Sequence, residues 1–240
     1  MKRRIKKFYQ DVGVAERSGA FLLLLDGREA KTPAGAGLAA PRRALAEAIA
    51  AEWAGEGECV DFDDMALTRL AATAIDLGPR DRERWAKEIV DYLGSDLLCY
   101  RAEEPAALVI RQEERWAPFL AWARGALGAP LCVTTGLVAV AQPEAALAAA
   151  RARADAMEDW TLIGARTATG LAGSAVLGLA LEEGAFPAEE IFAASRLDER
   201  FQAERWGVDD EAREHERRLE DDFLAVARFL NLLRHSETVA

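Results

Sequence analysis

A chain of 240 residues with a net charge of −11 is long enough for one extended domain or two modest ones, and its acid excess argues against nucleic acid as a partner. Hydrophobic residues make up 51% and charged residues 30%, the balance of a soluble protein that buries a sizeable core. Three cysteines, Cys59, Cys99 and Cys132, include no C-x-x-C pair; this excludes a disulfide framework and fits reduced core thiols in a cytosol-like compartment.

The basic run at 2–7 reads as a solvated tail, and no apolar signal region follows it, since Phe8-Tyr9 leads straight into Gln10-Asp11. Strands are then expected at 8–14, 21–25 and 28–31, separated by turns at Ser18-Gly19 and Asp26-Gly27. Asp-Gly after an apolar run is a strong hairpin signal. Pro41 opens a helix whose Leu45, Ala48, Ile49, Glu52 and Trp53 follow one face. A second helix is expected over 64–77, stopped by Gly78-Pro79, and a third through Trp85, Ile89 and Leu93 to Gly94. The segment 96–100 reads as a lone strand or an extended crossover.

Beyond Pro105 the pattern becomes almost wholly helical. An amphipathic run from Leu108 to Leu127 contains Pro118, a point of kinking or division. The stretch 131–140 is β-branched and suits a short hairpin or an extended linker. An Ala-rich helix covers 143–157. The next stretch, 162–181, is apolar or small except at Arg166, and reads as one helix buried on most sides. Its uncharged part, 167–181, is shorter than the roughly 20 residues that span a bilayer. Gly164, Gly170, Gly173 and Gly178 each cost about 1 kcal/mol in a helix interior, so close passage of neighbouring backbones is their expected role. The last helix, 210–233, carries a seam of Leu219, Phe223, Val226, Leu230 and Leu233, to be packed on the chain's own buried helix or in a coiled coil.

Chemistry-bearing patterns are absent. His215 and His235 sit among charged residues, and there is no H-E-x-x-H, G-x-S-x-G, P-loop or G-x-G-x-x-G. The acidic pairs Asp63-Asp64, Glu113-Glu114 and Asp221-Asp222 are sequence neighbours, about 100° apart on a helix, and read as solvated faces or caps. Neither a metal nor a nucleotide is expected. One constellation differs: on a helix across 197–206, Leu197 and Phe201 share a buried stripe, whereas Glu199, Gln202, Ala203 and Trp206 line another face. An aromatic ringed by polar groups is a favoured interface anchor.

The words FYQDVGV at Phe8, LLDGREAKTPAG at Leu24, LAEAIAAEW at Leu45, MALTRLAATAID at Met65, DLLCYRAEEP at Asp96, TGLAGSAVLGLAL at Thr169 and LDERFQAERWG at Leu197 occur in order over nearly the whole chain. Together they resemble the assembly chaperone of the F-type ATP synthase α subunit. The resemblance implies an ATP-independent holder of the unassembled α subunit until its β partner takes over the interface. It places a partner contact at Glu199, with Asp198 the adjacent possibility, while Gln202 and Trp206 come from the shared helical face. No transit extension precedes Phe8, which implies a bacterial cytoplasmic protein, the mitochondrial matrix being the compartment of a processed eukaryotic chain.

The expected fold is α+β: a small N-terminal antiparallel sheet with packed helices over 1–94, then a mainly α-helical domain over 95–240. A monomer without membrane insertion is expected, and the rival reading is a small-molecule enzyme with its cleft between the two parts.

Overall fold

The computed structural model describes residues 4–55, 57–136 and 138–234, so Lys2, Arg3 and His235 lie outside the described residues. Its N-terminal part is built on two tight hairpins. β1 (Arg4–Lys6) stands apart from them; β2 (Val12–Arg17) pairs with β3 (Ala20–Leu25), and β3 pairs in turn with β4 (Arg28–Glu29) and β5 (Ala39–Ala40), every pairing antiparallel. Ser18 and Gly19 close the first hairpin with φ of 53° and 79°, Asp26 and Gly27 the second with 48° and 74°. Two successive left-handed residues match the twist of the flanking strands. The expected strand at 8–14 begins only at Val12 because the amides of Gln10 and Asp11 donate to Asp26 Oδ1, at 2.9 and 2.8 Å. That segment braces the turn instead of extending the ladder.

α1 (Arg43–Ala54) lays Leu45, Ile49 and Trp53 against the sheet, and β6 (Cys59–Asp61) pairs with β1. Trp53 lies between Tyr9 and Phe62, and its carbonyl accepts the Tyr9 hydroxyl at 2.7 Å. Glu52, expected on the buried stripe, does something else. Its carboxylate accepts from the Leu67 and Thr68 amides, each at 2.8 Å, and from Thr68 Oγ1 at 2.6 Å. A side chain from α1 thus caps the next helix.

That helix, α2, runs unbroken from Ala66 to Gly94, although two helices were expected there. Leu67, Leu70, Ala74, Gly78, Trp85, Ile89 and Leu93 are all buried and stay on one helical face across Pro79, Gly78 and Trp85 lying seven residues, or about two turns, apart. A continuous packed face outweighs the roughly 3 kcal/mol that an interior proline costs. Gly78 serves the same packing, since a Cβ there would stand 2.8 Å from the Asp159 Cβ.

The segment after α2 is neither lone strand nor plain crossover. A 3-10 turn at Leu97–Cys99 leads into β7 (Tyr100–Arg101), which pairs in parallel with β8 (Thr134–Thr135) of the following linker. Between them α3 (Ala106–Trp122) passes Pro118 undivided and runs on as a wider π turn to Leu127.

The helical part continues with α4 (Glu144–Ala156), α5 (Asp159–Ala172), α6 (Ala175–Glu183), α7 (Ala188–Ser195), α8 (Leu197–Trp206) and α9 (Asp210–Arg234). The single helix expected at 162–181 is two, α5 and α6, because Gly173 is left-handed at φ 65° and Ser174 caps α6 through the Leu177 amide at 3.1 Å. Asp96 fixes this break. Wholly buried, it accepts from Ser174 Oγ at 2.7 Å, Val176 N at 3.0 Å and Leu98 N at 3.1 Å. α6 is buried from Ala175 to Glu182. α9 sets Phe223, Val226, Phe229 and Leu230 into the chain's own core, with Phe229 stacked on Trp160. Its seam is therefore spent within the molecule. Of the thiols only Cys99 is buried; Cys59 and Cys132 are exposed, which corrects the reading of all three as core residues. Among the described residues no helix is long and apolar enough to cross a membrane.

The glycines divide by role. A Cβ on Gly164 would lie 2.6 Å from a Leu230 methyl, and one on Gly178 would lie 2.2 Å from Thr169 Oγ1 and 2.7 Å from Thr169 N. Close passage holds at these two. At Gly170 the nearest atom is Tyr92 Oη at 4.0 Å, and Gly173 is a turn residue, so neither is a packing glycine. Gly178→Ala is accordingly expected to destabilise by about 2–3 kcal/mol, because backbone must move. Gly170→Ala should stabilise by about 0.5–1 kcal/mol through helix propensity. Paired urea melts read both, and two changes of the same sign would refute the assignment.

Candidate partner-binding face

α8 buries two side chains in the body, is tied to it by polar contacts along one side, and leaves its other side exposed. Leu197 and Phe201 are buried, and Phe201 is flanked by the guanidinium groups of Arg111 and Arg205, 5.1 and 4.6 Å from its ring centre. Arg111 also donates to both Glu204 oxygens, at 2.7 and 2.9 Å. The helix ends at Gly207, whose φ of 77° suits glycine.

Glu199, Gln202 and Trp206 all point outward along this helix. The Trp206 ring is 85% exposed, a large apolar surface on a defined helix end. Glu199 pairs with Arg196 at 2.9 Å and stays half exposed. Gln202 is exposed. Ala203 is partly covered.

Adjacent Asp198 has a different environment. Its carboxylate accepts from Gln112 Nε2 at 2.8 Å. Gln112, buried in α3, accepts the Ala102 amide on its side-chain oxygen and Arg101 Nη1 on its carbonyl, each at 2.8 Å. Arg101 lies over the Trp116 ring at 4.8 Å, and burial pushes its guanidinium below the usual arginine range. Asp198 thus ties α8 to α3 and the β7–β8 ribbon, whereas Glu199 stays half exposed beside Arg196.

Sequence reasoning passed over three exposed apolar side chains on elements connected to this helix. Ile110 on α3 and Val133 and Val138 in the linker are exposed apolar side chains. They sit on the elements that the Arg101–Gln112–Asp198 chain joins to α8, and the Gly136 amide donates to the Arg101 carbonyl at 2.9 Å. No periodicity in the linker signals them, because it is not regular structure. Beside α8, Arg115, Phe119, Glu189, Ala194, Leu197 and Arg200 line an open groove of about 550 Å³ between α3 and α7. Its floor is apolar and its rim carries both charges, which suits a protein surface better than a small metabolite.

Comparison with known proteins gives a consistent result. The family model described as ATP12 chaperone protein matches residues 6–124. A mitochondrial atp12 protein of Schizosaccharomyces pombe is 24% identical over 221 residues, covering 87% of this chain and 76% of the relative. A solved candidate chaperone from Agrobacterium tumefaciens shares 40% identity at a TM-score of 0.92, over 96% of this chain and 87% of that one. Atp12 from Paracoccus denitrificans shares 39% identity at a TM-score of 0.90, over 95% and 98% of the two chains. With that identity sustained over almost the full length of a solved Atp12, and with the same α+β architecture, this chain belongs to the ATP12 chaperone protein family.

Proposed function

We propose that the protein holds the unassembled α subunit of the F-type ATP synthase and keeps it from aggregating before it pairs with β. Membership in the ATP12 family supports a chaperone of ATP synthase assembly. The observation that carries the reading is the Trp206 ring, 85% exposed on a helix whose other aromatic is locked in the core. A ring subunit alone exposes apolar assembly surface, and covering it needs an apolar anchor on a rigid support. Glu199 and Gln202 supply polar contacts beside the anchor, and the bacterial cytoplasm is the compartment we assign.

The test separates binding from folding. Glu199→Lys should reduce protection of the isolated α subunit against light scattering by about tenfold or more, since a reversed charge within an interface costs several kcal/mol. Its stability should move by less than about 0.5 kcal/mol, because the side chain is half exposed. Asp198→Lys should instead lower the melting temperature, since it strands the buried Gln112 amide. Undiminished protection by Glu199→Lys would remove Glu199 from the partner surface.

A further inference from the structure

We infer that β2 is a pairing edge for a second copy of this chain, joining two sheets across a two-fold axis at Val14. The Asp26 amide donates to the Asp11 carbonyl at 2.9 Å, and the register runs from Val12 opposite Leu25 to Arg17 opposite Ala20. In an antiparallel ladder the bonded positions alternate, so Gly13, Ala15 and Arg17 turn their backbone groups toward β3. Those of Val12, Val14 and Glu16 turn outward, and among the described residues they have no hydrogen-bond partner.

Exposed edges are ordinarily guarded by proline, lysine or a bulge. β2 has no proline, lysine or bulge across Val12–Arg17 and its register is unbroken, while its two charges, Glu16 and Arg17, are paired with Arg43 and Glu29 of the same chain. Open amides and carbonyls at alternate positions are a template that an added extended strand can pair with. The sequence DVGVAER selects which one. Antiparallel pairing of β2 with itself matches outward groups to outward groups when Val14 faces Val14 of the copy, Val12 then facing Glu16. The same register sets Asp11 at both ends against Arg17 of the copy, whose guanidinium, already paired with Glu29 through one nitrogen, keeps its other nitrogen for Asp11, and it sets the small residues Gly13 and Ala15 against each other. A Cβ on Gly13 would meet nothing within 4 Å, so that side of the strand has room. Backbone register and charge agree on one arrangement. The junction of two short strands is smaller than the roughly 1,000 Å² of a stable interface, so the pair forms at high protein concentration, and the monomer expected from sequence is its dilute form.

Sedimentation velocity on the full chain over a wide concentration series tests this. The parent should shift from monomer to dimer. Val14→Pro removes one outward amide and leaves every amide facing β3; it should raise the dissociation constant at least about tenfold, with Val14→Thr as the control that keeps the amide. Asp11→Arg and Arg17→Asp should each weaken the dimer, and the double reversal should restore it toward the parent. Melting curves check that each variant is folded. A parent that stays monomeric throughout, a dimer unaffected by Val14→Pro, or a double reversal no tighter than the singles would overturn the inference. If the parent is monomeric and Val14→Pro loses protection of the α subunit, the edge belongs to the client and the self-pairing is refuted, while the proposed function stands.

Discussion

Replacing Asp96 by alanine is expected to destabilise the fold by about 3–5 kcal/mol. The carboxylate is wholly buried and accepts from Ser174 Oγ, Val176 N and Leu98 N. Alanine leaves those donors without acceptors in the interior, and each unmade bond costs about 1–3 kcal/mol. It also releases the turn that separates α5 from α6. The pH dependence gives a second signature. Burial pushes the Asp96 carboxyl up to about 6, against the hydrogen bonds that favour its ionised form. A folded-state value above the unfolded one means that the folded protein binds the proton more tightly. The contribution is therefore fully present below about pH 4 and is lost as pH rises through about 6. The difference is about 3 kcal/mol between the two ends of that window. Asp96→Asn cannot titrate, so its stability relative to the parent should improve across pH 4 to 6. Urea melts of both proteins through this range check it, and parallel curves would show that Asp96 does not titrate there.

Trp206→Ala should lose about 2–4 kcal/mol of α-subunit binding, corresponding to roughly 30-fold or more in affinity, the range of an aromatic hot spot. Its stability should barely change, because the ring is 85% exposed and contributes little to the core. Binding and folding are thus expected to separate more cleanly here than at any buried aromatic. Phe201→Ala is the contrast: a buried ring flanked by two guanidinium groups, whose loss should cost about 3–5 kcal/mol of stability. Co-elution of the separately expressed α subunit with each variant, beside its melting curve, reads both quantities. Equal client binding by the parent and by Trp206→Ala would mean that the exposed indole is not the anchor.

Local chemistry determined much of this molecule. The two hairpin turns, the face of α1, the seam of α9 and the outward face of α8 each follow from patterns within a few residues of one another: left-handed turn residues, or apolar side chains at helical spacing. Such signals are complete within the segment that carries them. The tertiary structure decided what depended on a distant partner. Gly78-Pro79 would stop an isolated helix, but α2 continues because its buried stripe stays in register on either side. The apolar stretch 162–181 carries Gly173-Ser174, a pair able to end one helix and cap the next, but the pair is committed to that break by Asp96, some 78 residues from Ser174 in the chain. The same limit governed the partner face. Glu199, Gln202 and Trp206 share a side by helical geometry alone, yet the sequence could not tell Asp198 from Glu199. Only the packed Gln112 amide on α3 separates them, turning one carboxylate inward while the other remains in water. Periodicity determines which face a residue occupies, and the fold determines what that face meets.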